Sequence, residues 1–238
     1  MIAETEDIDL KKNPEGVESG YMKLAIYGAG GSGKEVYEIV EDCEGERKKW
    51  EEIIFIDDTK EEGLFRNNRR IPFSVFVDKY SAFDTQVIIA IGEPKQRKIL
   101  YDKVINAGFE LANVIHEAAK ISESANLGKG VVIQDGVIIS SDAYIEDNVY
   151  LNHRALIGHD VKVGKHCQIS CNTAFAGGSE LGECVFVGIS ACVRDHITIG
   201  EHSVLSMGTI VMHDVKPYKI VMGNPGREIA NNTDEKVF

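Results

Sequence analysis

Residues 149–175 read VYLNHRALIGHDVKVGKHCQISCNTAF, and every sixth position from Leu151 onward carries an apolar side chain. The same frame runs from Ile115 to Val211, and all seventeen of its positions are apolar. In a chain that is 43% apolar, such a run arises by chance on the order of once in a million. A helix turns 100° per residue, so it would return each sixth residue to a different face. The repeat therefore predicts short β-strands, each with one side chain pointing inward.

A parallel β-helix satisfies this period, since three hexads close one coil of 18 residues. Seventeen hexads then make roughly six coils. The frame is unbroken between residues 115 and 211, so no long loop is expected to leave the coils. We expect glycines in and beside the turns, where positive φ is easiest for them, at Gly128, Gly130, Gly136, Gly158, Gly164, Gly182, Gly200 and Gly208.

The amino-terminal half follows a different pattern, in which short apolar runs alternate with amphipathic segments. Strands are predicted at Leu24–Gly28, Ile53–Asp58 and Gln86–Gly92, with a weaker candidate at Ile71–Phe76, and helices at Lys34–Cys43 and Pro94–Gly108. Strands that alternate with helices indicate a small parallel sheet. About 90 residues are available, which is enough for one mononucleotide-binding half of a Rossmann-like fold and not for two.

Composition excludes several classes of function. The 26 Lys and Arg against 38 Asp and Glu give a net charge of -12, which argues against a nucleic-acid partner. No stretch of 18 apolar residues is present, so no membrane span is expected. The five cysteines are odd in number and scattered, without a CxxC pair, which indicates reduced thiols in a cytoplasm and no zinc site.

The 18-residue coil predicts which residues stack on each other, because residue n lies one coil below residue n+18. His159 then lies at a corner beneath Gly177, whose backbone N–H no side chain obstructs. This pair has the character of a general base and an oxyanion donor, and Asp160 is placed to hold the imidazole tautomer. A solvated turn histidine is the alternative that spacing alone leaves open. The same turn or solvent roles are expected of the other histidines, His116, His153, His166, His196, His202 and His213.

Six segments in order carry a family resemblance: IYGAGGSGKEV at 26–36, FIDD at 55–58, AIGEPKQRK at 90–98, NVIH at 113–116, LNHRALIGHDVKVG at 151–164 and GNPGREI at 223–229. Residues 23–230 resemble the bacterial hexapeptide-repeat acyltransferases that acetylate nucleotide-activated aminosugars, and the related sialic acid O-acetyltransferases. The resemblance implies a left-handed β-helix of about six coils after a half-Rossmann-like α/β domain. It also implies a homotrimer with active sites between subunits and acetyl-CoA as the donor.

By position, the resemblance assigns catalytic roles to four residues. His159 corresponds to the base, Asp160 to the acid that polarises it, Asn152 to a hydrogen-bond partner in the site, and Gly177 to the backbone donor near the thioester carbonyl. The coenzyme channel is implied at Ile189 and Met207, and at Gln168, where relatives often have histidine. Candidates for the coenzyme phosphates near the carboxyl end are Lys216, Lys219 and Arg227.

The glycine turn GAGGSG and the acidic residues after the second strand also match a dinucleotide pattern, since Asp57 follows Gly33 by 24 residues. A single half-sheet favours one nucleotide instead. The resemblance implies that the nucleotide sugar is bound by Gly30, Gly31, Ser32, Asp57, Asp58 and Gly92. Ser32 departs from the family, in which histidine is common.

Four segments follow: an acidic flexible leader at 1–21, with Met22 as a possible alternative start, a nucleotide-sugar-binding domain at 22–112, a β-helix acetyltransferase domain at 113–215 and a coenzyme-contacting tail at 216–238. The expected function is acetyl transfer from acetyl-CoA to the amine of a UDP-linked deoxyaminosugar, without a metal. Two alternatives remain: O-acetylation of a sialic or related sugar, and a non-catalytic trimeric scaffold that binds a nucleotide sugar. An oxidoreductase is disfavoured because residues 109–238 offer no substrate domain for hydride transfer.

Overall fold

The computed structural model describes residues 22–237, so the expected acidic leader lies outside the described residues. The amino-terminal part is a six-stranded sheet in the order β3-β4-β2-β1-β5-β6, parallel except for β3. Its strands are β1 Met22–Tyr27, β2 Trp50–Ile56, β3 Gly63–Phe65, β4 Asn68–Ile71, β5 Thr85–Ile89 and β6 Glu110–Leu111, and its helices are α1 Gly31–Asp42, α2 Glu44–Arg47, α3 Phe73–Lys79 and α4 Pro94–Asn106. The predicted small parallel sheet is confirmed.

The weak strand prediction at Ile71–Phe76 is wrong. Strand β4 ends at Ile71, and Pro72 adopts an extended conformation before helix α3 begins at Phe73. Proline suits this position because it lacks the backbone N–H that a continuing strand would need. Phe73 and Phe76, three residues apart, are then buried on one face of the helix. Helix α1 also starts earlier than predicted, at Gly31.

The second part is a parallel β-helix built from seventeen two-residue strands. They are β7 Val114–Ile115, β8 Lys120–Ile121, β9 Asn126–Leu127, β10 Val132–Ile133, β11 Ile138–Ile139, β12 Tyr144–Ile145, β13 Tyr150–Leu151, β14 Leu156–Ile157, β15 Lys162–Val163, β16 Gln168–Ile169, β17 Ala174–Phe175, β18 Glu180–Leu181, β19 Phe186–Val187, β20 Cys192–Val193, β21 Thr198–Ile199, β22 Val204–Leu205 and β23 Ile210–Val211. Each strand from β7 to β20 pairs with the strand 18 residues later, as Tyr150 does with Gln168. The predicted frame, without an inserted loop, is confirmed.

The strands form three faces. The first face is β22-β19-β16-β13-β10-β7 and is extended by the hairpin of β24 Lys219–Met222 and β25 Arg227–Asn231. The second face is β23-β20-β17-β14-β11-β8, and the third is β21-β18-β15-β12-β9. We call the edge between the first and second faces the first corner, which includes residues 134–137, 152–155, 170–173, 188–191 and 206–209. The edge between the second and third faces is the second corner, which includes residues 140–143, 158–161 and 176–179.

The predicted inward positions form the core of the β-helix. From Ile133 to Val211 all of them are at most 4% exposed, and the three in the first coil are partly buried against the same cluster. The expectation for the glycines holds only in part. Gly130, Gly136 and Gly208 have positive φ, whereas most left-handed turn positions carry other residues, such as Asn148 and Asp160. At the remaining expected glycines, Gly128, Gly158, Gly164, Gly182 and Gly200, an added Cβ would lie within 3 Å of backbone atoms of the neighbouring coil.

The α/β domain sits on the first face. Val36 and Ile39 of α1 share one apolar cluster with Val132 and Tyr150 of β10 and β13. Beside them Arg97 of α4 is fully buried. Its guanidinium donates to the carbonyls of Ile89, Ile91 and Asn148 at 2.6–3.0 Å and to the Asn148 amide oxygen at 2.8 Å, which ties α4 and the end of β5 to a turn of the β-helix.

Candidate active site and nucleotide crevice

His159 and Gly177 lie together at the second corner, as the coil length predicts. The fit is close, since a Cβ on Gly177 would lie 2.4 Å from the Nε2 of His159. The His159 side chain is 68% exposed, and its Nδ1 is 2.8 Å from Oδ2 of Asp160. Asp160 reaches back to the ring because its backbone is left-handed, with φ of 58°. With Nδ1 held by the carboxylate, Nε2 is the free nitrogen and can accept a proton.

The backbone of Gly177 supplies a donor beside that nitrogen. Its carbonyl accepts from the amide of His196 at 3.1 Å, but its own N–H has no hydrogen-bond partner among residues 22–237. The absence of a Cβ lets the ring lie directly against the Gly177 backbone. The arrangement therefore offers a proton acceptor and an oxyanion donor in one exposed corner.

Three other expected site residues lie on the first corner instead. Asn152 is half-buried there and accepts from the amide of His153 at 2.8 Å. Ile189 and Met207 lie in successive coils farther along the same corner, joined by a bond from the Gly208 amide to the Ile189 carbonyl, and both side chains are exposed. One copy of the chain therefore does not bring these residues to His159, because the second face separates the two corners.

Gln168 occupies a third environment. It lies on the first face between Tyr150 and Phe186 and is 6% exposed. Its Oε1 is buried without a hydrogen-bond partner in the described part of the chain. Its predicted coenzyme contact stays a prediction.

The second face presents an apolar surface between the two corners. Its outward residues are Lys120, Ile138, Leu156, Ala174, Cys192 and Ile210, and five of these six are apolar. Ile138 and Leu156 are 42% and 40% exposed. The outward positions of the third face, in contrast, are mostly polar or charged, with Asn126, Tyr144, Lys162, Glu180 and Thr198. A continuous apolar strip of this kind is typical of an association surface.

A cavity of about 430 Å³ opens at the carboxyl edge of the α/β sheet. It lies where β1 is flanked by β2 on one side and β5 on the other, the switch point at which parallel sheets bind ligands. Gly30, Asp57 and Asp58, all expected from the sequence, line it. Gly31, Ser32 and Gly92 do not line it. Gly30 and Gly31 are exposed, and neither amide donates a hydrogen bond within residues 22–237, so both are open to a ligand at the start of helix α1.

The two acidic residues of the crevice have structural partners. Asp57 is buried, and its carboxylate accepts from the amides of Ala29 and Thr59 at 3.2 and 2.9 Å and from the Thr59 hydroxyl at 2.7 Å. It therefore joins the glycine turn to the loop after β2, a role that spacing alone does not indicate. A contact to ribose stays a prediction.

Asp58 accepts from Lys103, the Tyr27 hydroxyl and the amide of Phe73. Burial favours the protonated acid, but these three hydrogen bonds outweigh it and hold the pKa of Asp58 below its ordinary value. Burial and the bond to Asp58 raise the pKa of Tyr27. The carboxylate is thus ionised and fixed in place at the mouth of the crevice.

Sequence reasoning assigned only three of the twelve residues that line the crevice, and those it missed include Tyr27, Ile91, Gln96 and Leu100. The spacing of Gln96 and Leu100, four residues apart on α4, was the available signal. Among the described residues no cluster of His, Cys, Asp and Glu could hold a metal ion. No helix within residues 22–237 is long and apolar enough to cross a bilayer.

Comparison with known proteins agrees with this geometry. Residues 23–104 match the PglD N-terminal domain family. The acetyltransferase domain of PglB from Neisseria gonorrhoeae FA1090, solved with acetyl coenzyme A, is 27% identical with a TM-score of 0.82, over 88% of this chain and 100% of that one. PerB from Caulobacter crescentus, a perosamine N-acetyltransferase solved with CoA and GDP-perosamine, is 29% identical with a TM-score of 0.78, over 87% and 97% of the chains.

A shorter match is to the chloramphenicol acetyltransferase of Agrobacterium fabrum, 37% identical over 60 residues, or 25% of this chain and 29% of that protein. The chain thus spans less than a third of the length of the curated relatives it matches. The fold agrees with the left-handed β-helix acetyltransferases, so the predicted fold class is confirmed. WeeI from Acinetobacter baumannii AYE, at 22% identity and a TM-score of 0.80, shares this fold.

Proposed function

From the premise that this chain has the domain order and fold of the hexapeptide-repeat sugar acetyltransferases, we propose that it transfers an acetyl group from acetyl-CoA to the amine of a nucleotide-activated deoxyaminosugar. The nucleotide is UDP in the form we favour, and GDP is the closest competitor because the related PerB was solved with GDP-perosamine. The observation that carries the proposal is the imidazole of His159, held by Asp160 and packed on the free amide of Gly177.

The chemistry follows from these three groups. The neutral amine attacks the carbonyl carbon of the thioester, and Nε2 of His159 takes the proton that nitrogen loses. The oxygen becomes an anion and accepts a hydrogen bond from the Gly177 amide. When the tetrahedral intermediate collapses, the carbon–sulfur bond breaks and coenzyme A leaves as a thiolate. A thiol pKa of about 8.5 makes it a good leaving group, so no acid or metal needs to assist.

The functional unit is a homotrimer in this proposal. If three copies turn their second faces toward a common axis, the apolar strip with Leu156 is buried in all of them. The first corner of one copy then meets the second corner of the next. Asn152, Ile189 and Met207 of one copy thereby come beside His159 of its neighbour, which explains why a single chain keeps them apart. The coenzyme lies in this seam, with Lys216, Lys219 and Arg227 as candidates for its phosphates.

The nucleotide lies in the crevice at the sheet edge. The amides of Gly30, Gly31 and Ser32 meet its diphosphate at the amino end of α1, while Asp57 and Asp58 border the nucleoside. Gly92 follows β5 at the same edge and is also assigned to binding of the nucleotide sugar. A reducing, cytoplasmic location fits the five cysteines, none of which forms a disulfide.

The test is release of free thiol from acetyl-CoA over a panel of UDP- and GDP-aminosugars and free sialic acid. We expect turnover with an aminosugar, and loss of most of it in His159→Ala while the oligomer and coenzyme binding survive. Thiol release with sialic acid alone would favour O-acetylation. If none of the acceptors gives thiol release, the non-catalytic scaffold is favoured. Turnover near that of the wild type in His159→Ala would remove this residue from the mechanism.

A further inference from the structure

His196 is a second imidazole at the second corner, and the proposed mechanism does not use it. It lies one coil after Gly178, and its backbone is left-handed, with φ of 54°. A Cβ built on Gly178 would lie 2.5 Å from Nδ1 and 2.7 Å from Cε1 of His196, so this ring lies against Gly178. The ring of His159 lies in the same way against Gly177, from the preceding coil. Two imidazoles therefore contact one glycine pair, and the free amide of Gly177 belongs to that pair.

The ring of His196 explains the glycine at position 178, which the turn alone does not require. At the same corner other left-handed positions carry side chains, with Asp142 and Asp160 both at φ of 58°. Gly178 has φ of 68°, but a side chain there would collide with the ring of His196. Gly177 and Gly178 are also the only adjacent glycines in the β-helix sequence. The glycine pair therefore makes room for both rings.

The ring nitrogens of His196 are available to a ligand. The side chain is exposed, and within the described part of the chain no hydrogen bond or ion pair holds either nitrogen. The neighbouring acids have other partners. Asp195 lies 3.5 Å from Arg194, and Asp214 accepts from the backbone amide of Thr198 at 2.9 Å. Because Nδ1 and Cε1 of the ring lie against the backbone, Nε2 is the more open nitrogen. A neutral imidazole can carry its N–H there and donate it.

The direction of the coenzyme places its sulfur on the His196 side of Gly177. The candidates for its phosphates, Lys216, Lys219 and Arg227, all lie beyond the last strand of the second face, at the carboxyl end of the β-helix. The pantetheine arm therefore approaches Gly177 from that end. The next coil in the same direction, about 4.8 Å away, carries His196. With the carbonyl oxygen at the Gly177 amide, the sulfur is the atom that joins the acetyl group to the arm.

We propose that Nε2–H of His196 donates a hydrogen bond to the sulfur of acetyl-CoA and stabilises the coenzyme A thiolate as it leaves. This inference rests on the proposed function and adds a fourth group to its site. The carbon–sulfur bond breaks with both electrons going to sulfur, and the imidazole keeps its proton. The thiolate takes a proton from water after release. Because a hydrogen bond to a charged acceptor is stronger than one to a neutral acceptor, His196 favours the leaving thiolate over the thioester.

Calorimetry with coenzyme A and desulfo-coenzyme A, in which hydrogen replaces the thiol, tests this contact without turnover. At about pH 9.5 most of the free thiol, with a pKa of about 8.5, is ionised. The wild type is expected to bind coenzyme A at least about fivefold more tightly than the desulfo compound. His196→Gly removes the ring without strain at a left-handed position and should bring the two affinities within about twofold of each other. The affinity for desulfo-coenzyme A should stay at its wild-type value.

Asp142→Gly is the matched control, because Asp142 is exposed, has φ of 58° at the same corner and lies toward the amino-terminal coils. It should keep the preference for coenzyme A. His196→Asn also suits a left-handed turn, and its shorter amide should lose the preference, so this variant decides the question if His196→Gly does not fold. A wild type without the preference, a folded His196 variant that keeps it, or an equal loss in Asp142→Gly overturns the inference.

Thiol release separates this inference from the proposed function. If His196 controls the preference but no aminosugar releases thiol from acetyl-CoA, the proposed acetyl transfer fails and the sulfur contact stands. If an aminosugar does release thiol but His196→Gly keeps the preference for coenzyme A, only the sulfur contact fails.

Discussion

Substitution of Gly177 by alanine tests the geometry of the His159 corner with a single methyl group. The added Cβ would lie 2.4 Å from Nε2 and Cε1 of His159, whereas ordinary contacts begin near 3.4 Å. The ring must therefore retreat by about 1 Å, the difference between these distances. The φ of Gly177 lies outside the left-handed range, so alanine adds no backbone strain.

The expected cost falls on catalysis and not on stability. A misplacement of about 1 Å costs on the order of 100-fold in rate, which corresponds to about 2.7 kcal/mol of transition-state stabilisation. Because the His159 side chain is 68% exposed, it can swing into solvent. The free energy of unfolding should then change by less than about 0.5 kcal/mol.

The assay combines thiol-release kinetics with thermal unfolding. Gly177→Ala should lower kcat about 100-fold and leave both Tm and the affinity for acetyl-CoA near their wild-type values. Gly182→Ala is the control, since its Cβ would lie 2.6 Å from the backbone nitrogen of Glu201, which cannot swing away. The Tm of Gly182→Ala should therefore fall below that of the wild type. A kcat of Gly177→Ala within threefold of wild type, or a fall in Tm as large as that of Gly182→Ala, would refute the reasoning.

Three further predictions concern the domain junction, the pH dependence and the assembly. Arg97→Lys cannot reproduce the buried guanidinium bonds, so Tm should fall by roughly 6–12 °C. The KM for the nucleotide sugar should rise more than the KM for acetyl-CoA. An unchanged Tm in scanning fluorimetry would contradict this prediction. Burial lowers the pKa of His166 to about 4, below the unfolded value of 6.5, so its contribution to stability is complete above pH 6.5 and is lost as pH falls toward 4. Measured by urea titration, the free energy of unfolding of the wild type should fall by up to about 2 kcal/mol more than that of His166→Gln between pH 7 and 5. Parallel pH dependences of the two proteins would argue against this role of His166. Leu156→Glu should dissociate the oligomer in sedimentation and abolish turnover although His159 remains, and an active monomer would exclude a site between copies.

Much of the β-helix could be predicted because its repeat is local. One inward residue per hexad sets the strands, and 18 residues per coil place His159 under Gly177 without further information. The turns were less predictable. The left-handed position recurs in nearly every hexad, but Asn148 and Asp160 occupy it as readily as glycine does. Glycine at Gly164 is instead needed where a neighbouring backbone comes close, and the sequence alone does not reveal that distance.

The candidate site was likewise predictable only in part. Order and spacing were enough to single out His159, Asp160, Gly177 and the glycine turn. Spacing could not show that Asp57 also joins two loops, because its donors come from residues 29 and 59.

The sequence by itself determined the period of the repeat, the inward side chains and the pairing of residues one coil apart, since each follows from a fixed number of residues per turn. Only the tertiary structure decided how the α/β domain sits on the first face. This packing of the α/β domain brings Glu35 into contact with Tyr150, 115 positions away in the sequence, and Arg97 into contact with Asn148, 51 positions away. Such contacts depend on the packing of two separately formed surfaces, and no local pattern encodes them.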